Sequence, residues 1–132
     1  PGASTLGGNP VSSTAGLAVL NYIEEHRLAE NAEARGKQLR KGLAEIQKRH
    51  PIIGDIRGLG LMTGAEFVHN DKSPAPEELD TVLEELKDRG FIVGKNGVAR
   101  NVMAFQPPLI ITEENISDVL NALEQVLVKF KL

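Results

Sequence analysis

The stretch Ile52–Val68, reading IIGDIRGLGLMTGAEFV, constrains this chain more than any other. Pro51 stands in front of it and the polar run 69–74 follows, so turn chemistry bounds it on both sides. Inside it, Gly58 and Gly60 punctuate apolar residues that show no helical period. That pattern predicts a strand, a sharp bend or bulge, and a second strand through Leu61, Met62, Ala65 and Phe67. The glycines let another backbone approach closely, or permit positive φ, at an entropic cost that an ordinary loop does not bear. The remaining segments read as helices and short strands able to pack against this pair.

The 132 residues suffice for one domain that buries roughly two thirds of its unfolded surface. A net charge of -3 without a lysine–arginine run argues against nucleic acid or an anionic membrane as the main partner. With no cysteine, neither a disulfide framework nor a thiolate metal site can form. His26, His50 and His69 lie far apart without ligand spacing, so no metal site is expected. No apolar run approaches the ~20 residues a membrane-spanning helix needs, and no signal-peptide pattern opens the chain. A reducing, aqueous compartment is the expectation. The chain begins Pro1-Gly2-Ala3-Ser4-Thr5 and reaches glycine-rich chemistry at once, which suggests a piece of something longer.

In order, Ser4 to Asn9 is a loop, with Asn9 as N-cap and Pro10 as first helical residue. The run Val11–Ile23 is apolar on nearly all sides, so that helix should be buried here or against a partner. A break at 24–27 leads to a helix from Leu28 to Arg49, with Leu28, Ala32, Leu39, Leu43 and Ile46 on one face. His50-Pro51 ends it. A third helix starts at Pro76, carries the stripe Leu79, Val82, Leu83, Leu86, and stops at Gly90. Phe91–Val93 reads as a short buried strand, Gly94–Arg100 as a loop and Asn101–Phe105 as another strand. Leu109–Ile111 should be extended before Thr112 caps the last helix, whose apolar face runs from Ile116 to Phe130. The predicted fold class is α+β, a small antiparallel-rich sheet with helices on one face.

In the first loop, Thr5 offers a hydroxyl, and Gly7-Gly8 lets backbone N–H groups approach an anion just before a helix N-terminus. Taken alone this is more simply a glycine-rich turn feeding a helix. Glu24-Glu25 and Glu84-Glu85 are sequence neighbours on helices, point apart, and make poor acid–base pairs. Met62 and Met103 read as packing residues, and His69 as exposed.

Three segments together resemble a known family. STLGGNP, with the small-residue-rich helix VSSTAGLAVLNYIEE behind it, resembles the STFGGNP segment of class III (ω-amino acid) pyridoxal-phosphate aminotransferases. DIRGLGLMTGAEFV is similar to that family's vRGxGLmxGiE strand, and NVMAFQPPLIIT to its NVxRfxPPLxIt strand. They occur in family order and cover the chain from end to end. The resemblance implies the C-terminal part of a fold-type I enzyme: residues 1–27 as an inter-domain loop and long helix, and 28–132 as the small domain. It further implies pyridoxal 5'-phosphate as cofactor of the full-length parent, a homodimer, and amino acid and 2-oxo acid substrates. The donor would be an ω-amino acid or amine (4-aminobutyrate-like) or alanine. The lysine that carries the cofactor and the aspartate at its pyridine nitrogen lie upstream in that family, so this chain holds no catalytic residue and should be inactive alone. Thr5 matches the residue that bonds the cofactor phosphate of the neighbouring subunit, with Ser4 beside it and Gly7, Gly8 and Asn9 shaping the loop. The implied compartment is cytoplasmic, or alternatively the mitochondrial matrix.

One departure stands out. The family's carboxylate-clamping arginine falls where this chain has Ala104, and alanine cannot make the charge-assisted fork. Arg100 lies on the same strand face about 13 Å away, at ~3.3 Å per residue, and could substitute only if its loop folds back. Gln106 and Lys95 are further candidates, Lys95 reading more simply as solvated. Arg57 is assigned to pairing around the RGLG bend, with a substrate role as the minor alternative. The α-carboxylate clamp is therefore lost or relocated, which keeps racemase, decarboxylase and lyase chemistry on the same fold in play. The rival from another class is a free-standing α+β association module without cofactor.

Overall fold

The computed structural model describes Thr5 and residues 7–129. Elements follow in the order α1 (Pro10–Glu25), α2 (Leu28–Arg49), β1 (Ile53–Leu59), β2 (Met62–Phe67), α3 (Pro76–Asp88), β3 (Gly94–Asn96), β4 (Val102–Phe105) and α4 (Glu113–Leu127). The glycine-punctuated stretch forms the expected strand pair. β1 and β2 run antiparallel, with Leu59 opposite Met62, so Gly60 and Leu61 alone make the turn. Gly60 takes φ +53, and Leu61, expected in the second strand, is buried in the turn instead. The ladder is irregular between Ile53 and Asp55 rather than at Gly58.

This hairpin tip rests directly on α2. A methyl group on Gly36 would sit 1.8 Å from the Gly60 carbonyl oxygen, so no side chain fits between the two backbones. Arg40 Nη1 donates to the same oxygen at 2.6 Å.

The sheet order is β1-β2-β4-β3, antiparallel throughout, as the α+β expectation requires. One face carries the core. Ala65 and Phe67 of β2 and Met103 of β4 meet Leu39 and Leu43 of α2, Leu79 and Leu86 of α3, and Ile116 and Leu123 of α4. The helix ends follow local chemistry. Asn9 accepts from the Ser12 N–H, and Thr112 forms a reciprocal capping box with Asn115. Phe130, expected on the α4 face, lies outside the described residues.

Four expectations need correction. The strand expected at Phe91–Val93 forms at Gly94–Asn96, within the expected loop. At the end of α3, Gly90 (φ +89) donates to Lys87 O at 2.9 Å and Phe91 to Leu86 O at 2.9 Å, a Schellman closure that takes Phe91, the first of these residues, out of the strand. Leu109–Ile111 is a turn rather than an extended tail, closed by Ile111 N–H on Pro108 O at 3.0 Å. Met62 does not pack in the core, because the register puts it on the helix-free face, 68% exposed, whereas Met103 is buried as expected. Lys95 is not solvated. Its side chain is only 9% exposed and donates to Asp80 at 2.6 Å and to Pro76 O at 3.0 Å, tying β3 to α3.

α1 is helical as expected, but it is not buried within this chain: none of its residues is. Leu17, Val19, Leu20 and Tyr22 are exposed. Its amides in the 132-residue chain should exchange at least ~100-fold faster than those of Leu39 and Leu43 in α2, read by hydrogen-exchange NMR; equally slow exchange in a monomer would contradict this. Gly36→Ala ought to stabilise a helix by ~1 kcal/mol on propensity alone. Against the Gly60 carbonyl it should instead destabilise the chain by about 2 kcal/mol, read as a lowered denaturant midpoint.

Candidate functional site

Two regions bear on chemistry, the loop before α1 and the helix-free face of the sheet. In the loop, Thr5 is exposed and Gly7-Gly8 form a turn with Gly8 at φ +77. Among the described residues, no atom lies within 4 Å of where a Gly8 methyl would stand. Asn9 then starts α1, its side chain accepting from Ser12 N–H at 3.0 Å and its carbonyl from Ser13 N–H at 3.0 Å. Ser4 lies outside the described residues. An exposed hydroxyl and an open, side-chain-free turn ahead of a helix start fit the demands of a phosphate group, which needs room, N–H donors and the positive end of a helix.

The helix-free face is set by strand register. Arg57 of β1 pairs with Gly64 of β2, Gly64 with Ala104 of β4, and Ala104 with Gly94 of β3. Cross-strand partners share a face, so these four form one row across the sheet. The next row is Asp55, Glu66, Val102 and Asn96. A groove of ≈ 240 Å³ lies here, bordered among others by Arg57, Met62, Gly64, Asn96, Ala104 and Gln106.

Arg57 behaves as the sequence suggests. Its Nη1 donates to Asp55 at 2.6 Å and to Glu66 at 2.8 Å, and these bonds, Glu66 first, raise the guanidinium's already high pKa. Arg100 caps the turn after β3, its N–H on Gly97 O at 3.0 Å and its φ at +52; it is exposed and does not border the groove. Gln106 does border it; Lys95 is committed to α3. His69 lies 3.7 Å from Glu78, and no group of His, Asp or Glu able to hold a metal occurs among the described residues. Nor does any described helix reach the length and apolarity needed to cross a membrane.

Sequence reasoning singled out Ala104 but missed its neighbours Gly64 and Gly94. Both glycines are visible in the sequence; what joins them to Ala104 is the β3–β4–β2 register, which depends on long-range pairing. Buried Asn101 was missed likewise. Its amide donates to Phe67 O at 2.8 Å, and Phe67 N–H donates to Asn101 O at 2.7 Å, locking β4 beside β2.

The sequence model of the family described as "Aminotransferase class-III" matches residues 2–127. The chain belongs to the class III aminotransferases. It is 42% identical over 123 residues to alanine–glyoxylate aminotransferase 2 homolog 2, mitochondrial, of Arabidopsis thaliana, covering 92% of this chain and 26% of that protein. An acetylornithine aminotransferase of Caldanaerobacter subterraneus is 42% identical over 125 residues, covering 95% and 30%. Among solved structures, a phospholyase from Arthrobacter in complex with phosphoethanolamine superposes with a TM-score of 0.90 at 36% identity, covering 94% of this chain and 30% of that one. The chain thus spans between a quarter and a third of the length of these relatives. The fold is that of a fold-type I enzyme, and class III members depend on pyridoxal phosphate.

Arg57 holds two carboxylates that face each other directly across β1 and β2. Since it is 53% exposed, Arg57→Gln should cost only about 1 kcal/mol by chemical denaturation. Adding Asp55→Asn should recover most of that loss, because the like-charge pair disappears.

Proposed function

We propose that this chain is the C-terminal small domain of a pyridoxal-phosphate-dependent aminotransferase, with residues 1–27 linking it to a preceding large domain. The full-length protein moves an amino group between an ω-amino acid, an amine or alanine and a 2-oxo acid. The observation that carries this is the family match over residues 2–127, which covers both the Thr5–Gly8 loop and the Ala104 strand. That match favours the enzyme over a free-standing association module. When bound, the cofactor supplies the electron-withdrawing ring that lets an amino group pass between two carbon skeletons.

The role of this chain is to hold and orient. Thr5 would donate its hydroxyl to the cofactor phosphate, with Ser4 as its neighbour in sequence, and Gly7 would leave room for backbone N–H groups to reach the anion. In a homodimer this loop crosses to the neighbouring subunit's cofactor, and the exposed apolar side of α1 is covered by the rest of the enzyme. The covalently binding lysine lies outside the chain, so the 132 residues alone carry no activity. The proposed compartment is the cytoplasm; the mitochondrial name of the Arabidopsis relative supports the matrix as the alternative.

A second reading has one specific support. Ala104 removes the guanidinium that would grip an α-carboxylate, and the Arthrobacter structure is a phospholyase bound to phosphoethanolamine, an amine without that carboxylate. A lyase releasing phosphate is therefore the competing activity.

The full-length protein, incubated with a panel of ω-amino acids and 2-oxo acids, should form the new amino acid. Phosphoethanolamine consumed with release of phosphate, and no amino acid formed, would establish the second reading instead. In either case Thr5→Ala should weaken cofactor binding to the apoprotein about tenfold or more, the worth of one hydrogen bond to a charged group. Absorbance titration reads that change, and an unchanged affinity would remove Thr5 from the phosphate site.

A further inference from the structure

We infer that Asn96–Gly97, where β3 turns back toward β4, is a site of spontaneous covalent modification: the Asn96 amide is lost as ammonia, and residue 96 becomes aspartate or isoaspartate. Gly97 N attacks Asn96 Cγ, the bond from Cγ to the side-chain nitrogen breaks, and a succinimide ring closes. The proton given up by Gly97 N leaves with the ammonia. Water then opens the ring at either carbonyl. Opening at Cγ gives aspartate; opening at the main-chain carbonyl routes the chain through Cγ and gives isoaspartate. Water enters and ammonia leaves, with no oxidant, cofactor or enzyme required.

The fold leaves both reacting groups free. Asn96 is exposed, and among the described residues neither its side-chain amide nor the Gly97 N–H makes a hydrogen bond. Strand alternation gives the reason. Phe67 N–H bonds Asn101 O, so residue 101 faces β2, and Val102, the partner of Asn96, faces β3. Asn96 therefore directs its main-chain groups to β4, and the next N–H, that of Gly97, points to the open edge of the sheet. Residue 97 is also bound to be glycine. Its φ is +90, and a Cβ there would stand 3.0 Å from Val102 Cγ2. The turn that demands this glycine is closed by Arg100 N–H on Gly97 O at 3.0 Å, and it thereby removes the side chain that would obstruct the attack. Because Asn96 ends a three-residue edge strand and residues 97–100 are exposed, ring closure needs no more than local opening.

The other asparagines lack this combination. Asn9 precedes Pro10, which has no N–H, and Asn21 and Asn121 lie within helices. Asn31, Asn101 and Asn115 hold their side chains in hydrogen bonds. Asn70 is exposed in a turn, but the attacking nitrogen there carries the side chain of Asp71. Of the two products, aspartate should disturb little. Glu66 stands two strands away, roughly 10 Å, beyond the ~8 Å over which charges act at physiological salt. Isoaspartate disturbs more, since its extra main-chain atom breaks the Asn96–Val102 pairing and the Gly97–Arg100 turn, while Lys95 keeps β3 tied to α3.

The full-length protein, aged in neutral buffer and digested with trypsin, should show conversion at Asn96 about tenfold or more faster than at any other asparagine. Raising the pH by one unit should speed it about tenfold, because the attacking nitrogen must lose its proton. In guanidinium the rate at Asn96 should rise by less than about tenfold. A larger rise, meaning that the fold or the rest of the enzyme shields the site, overturns the inference, as does faster conversion at another asparagine. An isoaspartyl methyltransferase should label aged wild type and lose most of that label in Asn96→Gln, whose longer side chain closes a larger ring far more slowly. Undiminished label in Asn96→Gln overturns the inference too. None of these readouts depends on aminotransferase activity, and the wild-type rates do not depend on any variant folding.

Discussion

Gly36 and Gly60 meet with no side chain between them, and the placement of the sheet on its helices depends on that contact. α2 can hold the hairpin tip at backbone distance because both sides give up Cβ, and Arg40 then secures the Gly60 carbonyl. With the tip fixed, the alternation along β2 has only one choice. Ala65 and Phe67 turn toward α2, α3 and α4, while Gly64 and Glu66 turn to the other face. β4 inherits that choice through its pairing with β2, and so does the Arg57–Gly64–Ala104–Gly94 row. A contact on the helix side thus determines which residues are presented on the opposite side.

Much of the architecture was legible in the sequence because its signals are local. The Gly58–Gly60 stretch announced a strand pair, Asn9 and Thr112 announced helix starts, and the Leu79–Leu86 stripe announced the buried side of α3. The misplaced elements lie where a local signal met a competing hydrogen bond. Phe91 has the side chain of a strand residue, yet its N–H is taken by Leu86 O in the helix closure. Lys95 looks like a solvent lysine until β3 is laid beside α3, where Asp80 and the Pro76 carbonyl capture its ammonium. Met62 went astray for another reason. Hydrophobicity places a residue inside only when the register agrees, and here it does not.

The candidate site was legible in halves. The Thr5–Gly8 loop could be read as an anion-holding turn from residue types alone, and Ala104 stood out as a departure from the pattern its strand resembles. The significance of Ala104 depends on Gly64 and Gly94, which are forty and ten residues away in sequence and adjacent only through pairing. α1 is the converse case. Its composition reads as that of a buried helix, yet none of its residues is buried within the described part of the chain.

The Schellman closure of α3 also governs the margin of the sheet. By using up Gly90 and Phe91 it leaves β3 only three residues long, with the ammonium of its middle residue anchored to a neighbouring helix. At the opposite margin β1 carries the Asp55–Arg57 pair. Neither rim offers a long, flat, uncharged template onto which a stray extended chain could add itself. The same few hydrogen bonds that end one helix therefore help guard the domain against edge-to-edge aggregation.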